Sequence, residues 1–273
     1  MTAFDLVDNE IMPRNLQLRD LCSRARKRML FLPPRPIPIP PRRANPQDAS
    51  PLLRLPPELR LAVWHACFPT QVLHILSTED GTIRVELCAA LADTSDFQGS
   101  THPHDCGATR WGHAHLSLLY TCRRIYSECI DLLYRRTVFD FSRSPRALTR
   151  MPGWLPAAHR ARIAHVSVGL QFFRPLYLKA KKNTGQREKL WVDVWRALAA
   201  LEGLEWLHFE MSLGFNYPVL VAEWKGLEAS ILALVRPVTR PSHFELILPF
   251  PADAATEDAT LPCTITRRLR PPP

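Results

Sequence analysis

Beyond residue 137 the apolar residues switch repeatedly between a period of two and a period of 3.6, and that alternation leaves few architectures open. Residues 138–141, 163–170, 207–213 and 244–248 read as strands. Helical patterns at about 187–202 and 219–236 separate the later ones, the first ended by Gly203. Successive strand–helix–strand units predict parallel pairing, because a chain returning to the same end of a sheet needs a crossover long enough to hold a helix. Trp191, Trp195 and Leu198 share one helical face and are expected to pack that helix on the sheet. The fold class is therefore α/β, or α+β, with alternating helix and strand units forming a mostly parallel sheet.

The body is expected to span 52–250. Leu55-Pro56-Pro57-Glu58 opens a helix, since proline is tolerated in a first turn and Glu58 sits at the positive end of the dipole. Leu59, Ala62, Val63 and Ala66 follow at helical spacing with Trp64 alongside, until Pro69 ends the helix. Residues 71–76 and 82–87 around Asp80-Gly81 read as a β-hairpin. A helix over 115–134 spaces Leu118, Cys122, Ile125, Cys129 and Leu132 as a buried stripe, with Leu119, Tyr126 and Leu133 beside it. Arg124 and Glu128 are four apart on another face and able to pair.

Two motifs carry a resemblance. Leu52-Leu53-Arg54-Leu55-Pro56-Pro57-Glu58-Leu59-Arg60 resembles the opening helix of fungal F-box-like proteins. Together with Thr121-Cys122-Arg123-Arg124-Ile125-Tyr126-Ser127-Glu128, which runs into Tyr134 and Phe139-Asp140-Phe141, it is similar to a large fungal family of F-box-like domains of unknown function, the DUF7730-like proteins. The resemblance implies a non-enzymatic protein-interaction module, in particular a substrate receptor whose first helix docks on the adaptor of a cullin-RING ubiquitin ligase. Leu55, Pro56, Leu59 and Trp64 would be the partner contacts. A scaffold without a ligase link is the alternative. Leu201, Leu204, Leu207 and Phe209 further resemble a leucine-rich-repeat step.

The charge of +9 sits in two places. Residues 1–50 hold nine Lys/Arg against five Asp/Glu, and 174–189 hold six against one. The rest is close to neutral and offers no basic face interleaved with aromatics, so nucleic acid is not an expected partner. Eight prolines in the first fifty residues mark 1–51 as a basic, proline-rich flexible segment, with a basic helix at 15–32, and 251–273 reads as a flexible tail. Within the first segment, Arg35-x-x-Pro38-x-x-Pro41 and Pro38-x-x-Pro41-x-Arg43 fit an SH3-type domain in either orientation. No apolar run is long enough to span a membrane, and Asp5, Asp8 and Glu10 stand where a leader peptide would be basic, so the expected location is intracellular, cytoplasmic or nuclear. Seven scattered cysteines without a C-x-x-C pair fit reduced thiols.

One loop has the residue types of a metal site. His102, His104, Cys106, His113 and His115 supply more than the four N or S ligands zinc takes, but in no recognised zinc spacing, and Pro103, Gly99, Gly107 and Gly112 mark a surface loop. A metal-binding protein centred on 102–115 is thus a further alternative, and no cofactor is expected. Catalytic motifs are lacking: with ten glycines the chain holds no nucleophile elbow, dinucleotide turn or phosphate loop, and Glu202 with Glu205 reads as helix-end charge.

Overall fold

The computed structural model describes residues 47, 49–78, 80–88, 114–172, 184–213, 224, 228–251 and 261–268. Among them, seven strands form one sheet: β1 (Gln71–Ser77), β2 (Ile83–Leu87), β3 (Thr137–Asp140), β4 (His165–Phe172), β5 (Trp206–Leu213), β6 (His243–Leu248) and β7 (Thr264–Arg267). Their order is β2-β1-β3-β4-β5-β6-β7. β2 runs antiparallel to β1, and every other neighbouring pair is parallel. From β3 onward each strand is laid beside its predecessor, always in the same direction. Right-handed crossovers repeated in one direction put their helices on one face of the sheet.

The helices are α1 (Pro51–Arg54), α2 (Pro57–Cys67), α3 (Ala114–Leu119), α4 (Arg123–Arg135), α5 (Pro145–Thr149), α6 (Met151–Trp154), α7 (Ala157–Arg160) and α8 (Thr184–Ala199), with a further helical stretch at 228–233. Strand alternation sends Leu73, Phe139, Val166, Leu207 and Phe244, all in register, into the main core. Trp191, Trp195 and Leu198 of α8 meet them as expected, each nearly inaccessible. Trp195 stacks on Phe209 at 4.4 Å, and Trp191 stands edge-on to both rings. Offset and edge-on contacts of this kind suit the ring quadrupoles. The leucine-rich step of Leu201, Leu204, Leu207 and Phe209 lies in the same core. A smaller core joins α1 and α2 to α4 through Leu53, Trp64, Phe68, Ile125, Cys129 and Leu132.

Four features differ from the sequence reading. The helix expected over 115–134 is two helices, because Cys122 is extended (φ −158°, ψ 163°) and its Sγ accepts from the Ile125 amide, capping α4. On α2 Trp64, expected as a partner contact, faces inward with Arg60, and Phe68 just beyond the helix does the same, while Leu59, Ala62 and Ala66 face out. β7 lies in the stretch read as a flexible tail and pairs with β6 along four residues. Of the 219–236 helix, the described residues 224 and 228–233 are helical, and 234–236 form a turn instead. The hairpin is as expected: Gly81 takes φ +83° in its turn and the Asp80 carboxylate accepts from the Thr82 amide. The readings on residues 1–46, including the helix at 15–32 and the motif at Arg35 to Arg43, lie outside the described residues. No helix among the described residues is long and apolar enough to cross a membrane.

Candidate functional site

The two motifs that look separate in sequence meet in space. Arg60 donates from Nε to Glu128 Oε2 at 3.0 Å and from Nη2 to Oε1 at 2.9 Å, a bidentate pair joining α2 to α4. Trp64 Nε1 donates to the same Oε2 at 2.9 Å, and Arg60 Nη1 reaches back to the Leu55 carbonyl. The expected Arg124–Glu128 contact is present too, at 3.4 Å. The Arg60 guanidinium holds the Glu128 carboxyl below its ordinary range, with the Trp64 N–H assisting, and the carboxylate raises Arg60 in return. Planar two-point pairing fixes the rotation of α2 about its own axis.

That rotation decides what α2 offers to solvent. Leu59 is 54% exposed and Leu61 47%, Pro56 is exposed, and Leu55 is half-buried. Trp64, expected as a partner contact, is 1% exposed and its ring lies inside the small core. It anchors the helix from beneath rather than presenting a surface. The remaining site residues, Leu55, Pro56 and Leu59, lie on the outer side, and Leu61, two residues after Leu59, is exposed on the other flank of the helix. Tyr126, on α4, is partly exposed at 39%.

The other unusual surface is the sheet face opposite the helices. In register across it run Glu86, His74, Asp140, Ser167, His208, Glu245 and Thr264, one from each strand. Beside this row run Val72, Val138, His165, Trp206 and His243. His74 donates from Nδ1 to Asp140 Oδ2 at 2.6 Å, both side chains are buried, and the Ser142 amide and hydroxyl donate to Oδ1. His208 places Nδ1 3.2 Å from Glu245 Oε2, whose Oε1 accepts from Thr266. Trp206 stacks on His208 at 5.8 Å and on His243 at 6.1 Å. Burial lowers the pKa of His165. Among the described residues, the helices contribute their buried apolar side chains to the main and small cores and none to this face.

Chemically, the row consists of two carboxylate–imidazole pairs on strands whose backbone groups are committed to the ladder. Nothing in the sequence alone joins His74 to Asp140 or His208 to Glu245, which are 66 and 37 residues apart. A visible signal does exist: each histidine sits between two core residues, Leu73 and Ile75 or Leu207 and Phe209, so alternation puts it on the opposite face. The loop candidates His102, His104, Cys106 and His113 lie outside the described residues, and of His115 only the backbone, in α3, is described. Among the described residues no group of three or more His, Cys, Asp or Glu is placed to hold a metal. Cys67, Cys88, Cys122, Cys129 and Cys263 are free thiols, and burial pushes Cys129 up to about 12, which suits packing rather than nucleophilic work. Glu205, read as a helix-end charge, pairs with Arg135 at 3.1 Å.

No curated protein and no solved structure matches the chain. A family model does, over residues 45–269, a span that takes in α1, the Arg60–Glu128 joint and all seven strands. The two motifs and the sheet they border thus lie within one recognised unit, and the chain belongs to the family described as domain of unknown function DUF7730.

Proposed function

We propose that this domain is a non-enzymatic protein-interaction module, an F-box-like substrate receptor, in which the outer side of α2 docks on the adaptor of a cullin-RING ubiquitin ligase and the sheet face opposite α8 takes the client. The observation that carries the reading is the orientation of α2. Its arginine and tryptophan are locked inward on Glu128, while Leu59 and Leu61 stay about half exposed. Exposed leucines on a helix with a fixed rotation favour a preorganised apolar contact, which loses little entropy on binding. Leu55, Pro56 and Leu59 are the proposed contacts, with Trp64 as the buried support. A receptor of this type works inside the cell.

The test is binding of the purified adaptor to the whole chain and to the double variant Leu55→Asp, Leu59→Asp. The wild-type chain is expected to bind and the double variant to lose binding, with an unchanged circular dichroism spectrum. Equal binding by both removes the strip from the interface. No binding by either leaves a scaffold without a ligase.

A further inference from the structure

We propose that the outer edge of β2 is a self-association surface, on which β2 of a second copy of this chain pairs antiparallel. β2 stands first in the sheet order, so its outer edge has no neighbouring strand among the described residues. The register decides which groups face that edge. The Thr78 amide donates to the Thr82 carbonyl at 2.9 Å, and the Cys88 amide to the Val72 carbonyl at 3.0 Å. Between these two points an antiparallel ladder alternates, so Arg84 and Glu86 bond to β1 while Ile83, Val85 and Leu87 turn their backbone groups outward. Ile83 and Val85 have no other backbone partner among the described residues. Arg84 is exposed and Val85 is 36% exposed, so the middle of the strand is open to solvent. Outward N–H and C=O groups are a template for a further strand unless a proline or a bulge spoils them, and β2 has an unbroken register and no proline.

The side chains say which strand fits. Ile83-Arg84-Val85-Glu86-Leu87 has the same chemical pattern in both directions about Val85, with the two charges exchanged. A twofold axis at Val85 therefore sets Val85 against its own copy as a hydrogen-bonded pair. It sets Arg84 against Glu86 of the second copy, and Glu86 against Arg84, at the closely spaced positions where opposite charges stabilise a sheet. Ile83 then faces Leu87. The sides of the sheet match as well: Ile83 and Leu87 pack against the main core, and Arg84 and Glu86 lie across from Leu76 and His74 on the opposite face. Arg84 has no ion pair among the described residues, and Glu86 reaches Arg143 only at 3.7 Å, so both charges have capacity for a cross-strand partner. A parallel copy in register would oppose like charges at both positions, so the same pattern selects the antiparallel direction. Because every contact occurs twice about the axis, the pairing closes at two copies.

The test is sedimentation equilibrium of the full chain from about 1 to about 200 µM, since a single short strand pairing makes a small interface and a weak dimer. Wild type is expected to dimerise reversibly within that range. Arg84→Glu and Glu86→Arg, each alone, oppose like charges at both positions and are expected to weaken the dimer at least about tenfold. An equimolar mixture of these two variants is expected to recover it, because each supplies the sign that the other lacks. Recovery in a mixture cannot come from a folding defect. Val85→Pro removes the outward N–H without touching a bond to β1, and is expected to be monomeric with an unchanged circular dichroism spectrum. A wild-type chain that stays monomeric throughout overturns the proposal, as does a dimer that survives Arg84→Glu and Val85→Pro. A mixture that stays monomeric overturns the antiparallel register about Val85. Leu55→Asp with Leu59→Asp is expected to dimerise normally, so the outcome here is independent of adaptor docking.

Discussion

One set of strands supplies two faces built from opposite materials. Toward the helices β5 presents Leu207, Phe209 and Met211, each at most 2% exposed, and toward the other side Trp206, His208 and Glu210. Packing accounts for the first set completely: the positions are apolar, interlocked with α8, and any change in volume is felt. Of the second set it accounts for Trp206 alone, which packs against Val72, Cys88 and Val138, and not for His208 or Glu210. A histidine joined to a glutamate and a carboxylate beside it are not what a sheet needs in order to hold together, and two strands away His74 and Asp140 repeat the pairing. The contrast separates residues retained for the fold from those that the fold merely carries.

The sharpest way to break the comparison is to remove one tryptophan from each face. Trp195→Ala is expected to cost about 3–5 kcal/mol, because it empties a site at the centre of the main core beside Phe209 and Phe244. Trp206→Ala removes ring contacts with only partial burial and is expected to cost about 1 kcal/mol. Urea denaturation of the two variants measures both. Equal losses would mean that the small Val72–Cys88–Val138 cluster under Trp206 is as tightly packed as the main core.

Gly203 probes the helix side more finely. A Cβ there would overlap the Ala161 carbonyl oxygen and press on the Ile163 carbonyl, both backbone atoms that cannot swing away. Gly203→Ala is therefore expected to lose about 1–3 kcal/mol, seen as a lower denaturation midpoint with an unchanged slope. A neutral result would show that the α8–β5 turn is looser than its close approach implies. The glycine that reads from sequence as a helix stop is required by the proximity of a neighbouring chain segment.

That distinction marks how far the sequence could be read. The strand and helix alternation after residue 137, the Trp191–Trp195–Leu198 stripe and the hairpin all depend on local periodicity, and local periodicity is visible in one dimension. The inward turn of Arg60 and Trp64 on α2 was not visible, because the glutamate that draws them in is 68 and 64 residues away. The break at Cys122 depends on a weak sulfur cap that no propensity favours. β7 is short, lies among prolines and polar residues, and exists because β6 offers it an edge. The polar row needs the register of seven strands at once. Of the four expected partner contacts, the exposed ones follow from the motif, while the inward position of Trp64 follows only from its bond to Glu128.

The smallest expected effects are in pH, and they also divide by face. Burial keeps His165 on the helix-free face, and His159 beside Tyr134 on the helix side, below the ordinary histidine value of 6.5, with Arg162 adding to the effect at His159. Both bind a proton less readily folded than unfolded, so their contribution is complete above 6.5 and is lost as pH falls below it. Glu128, held below 4.5 by Arg60, behaves the same way lower down: its contribution is complete above 4.5 and is lost as pH falls through the folded value. Stability is therefore expected to decline in two separated steps on acidification. His165→Gln is expected to reduce the first step, and Glu128→Gln to flatten the second while leaving the first. Denaturation midpoints followed from neutral to acid pH read both slopes. An unchanged first step in His165→Gln would return that titration wholly to the helix side, and with it the claim that the helix-free face has an electrostatic character of its own.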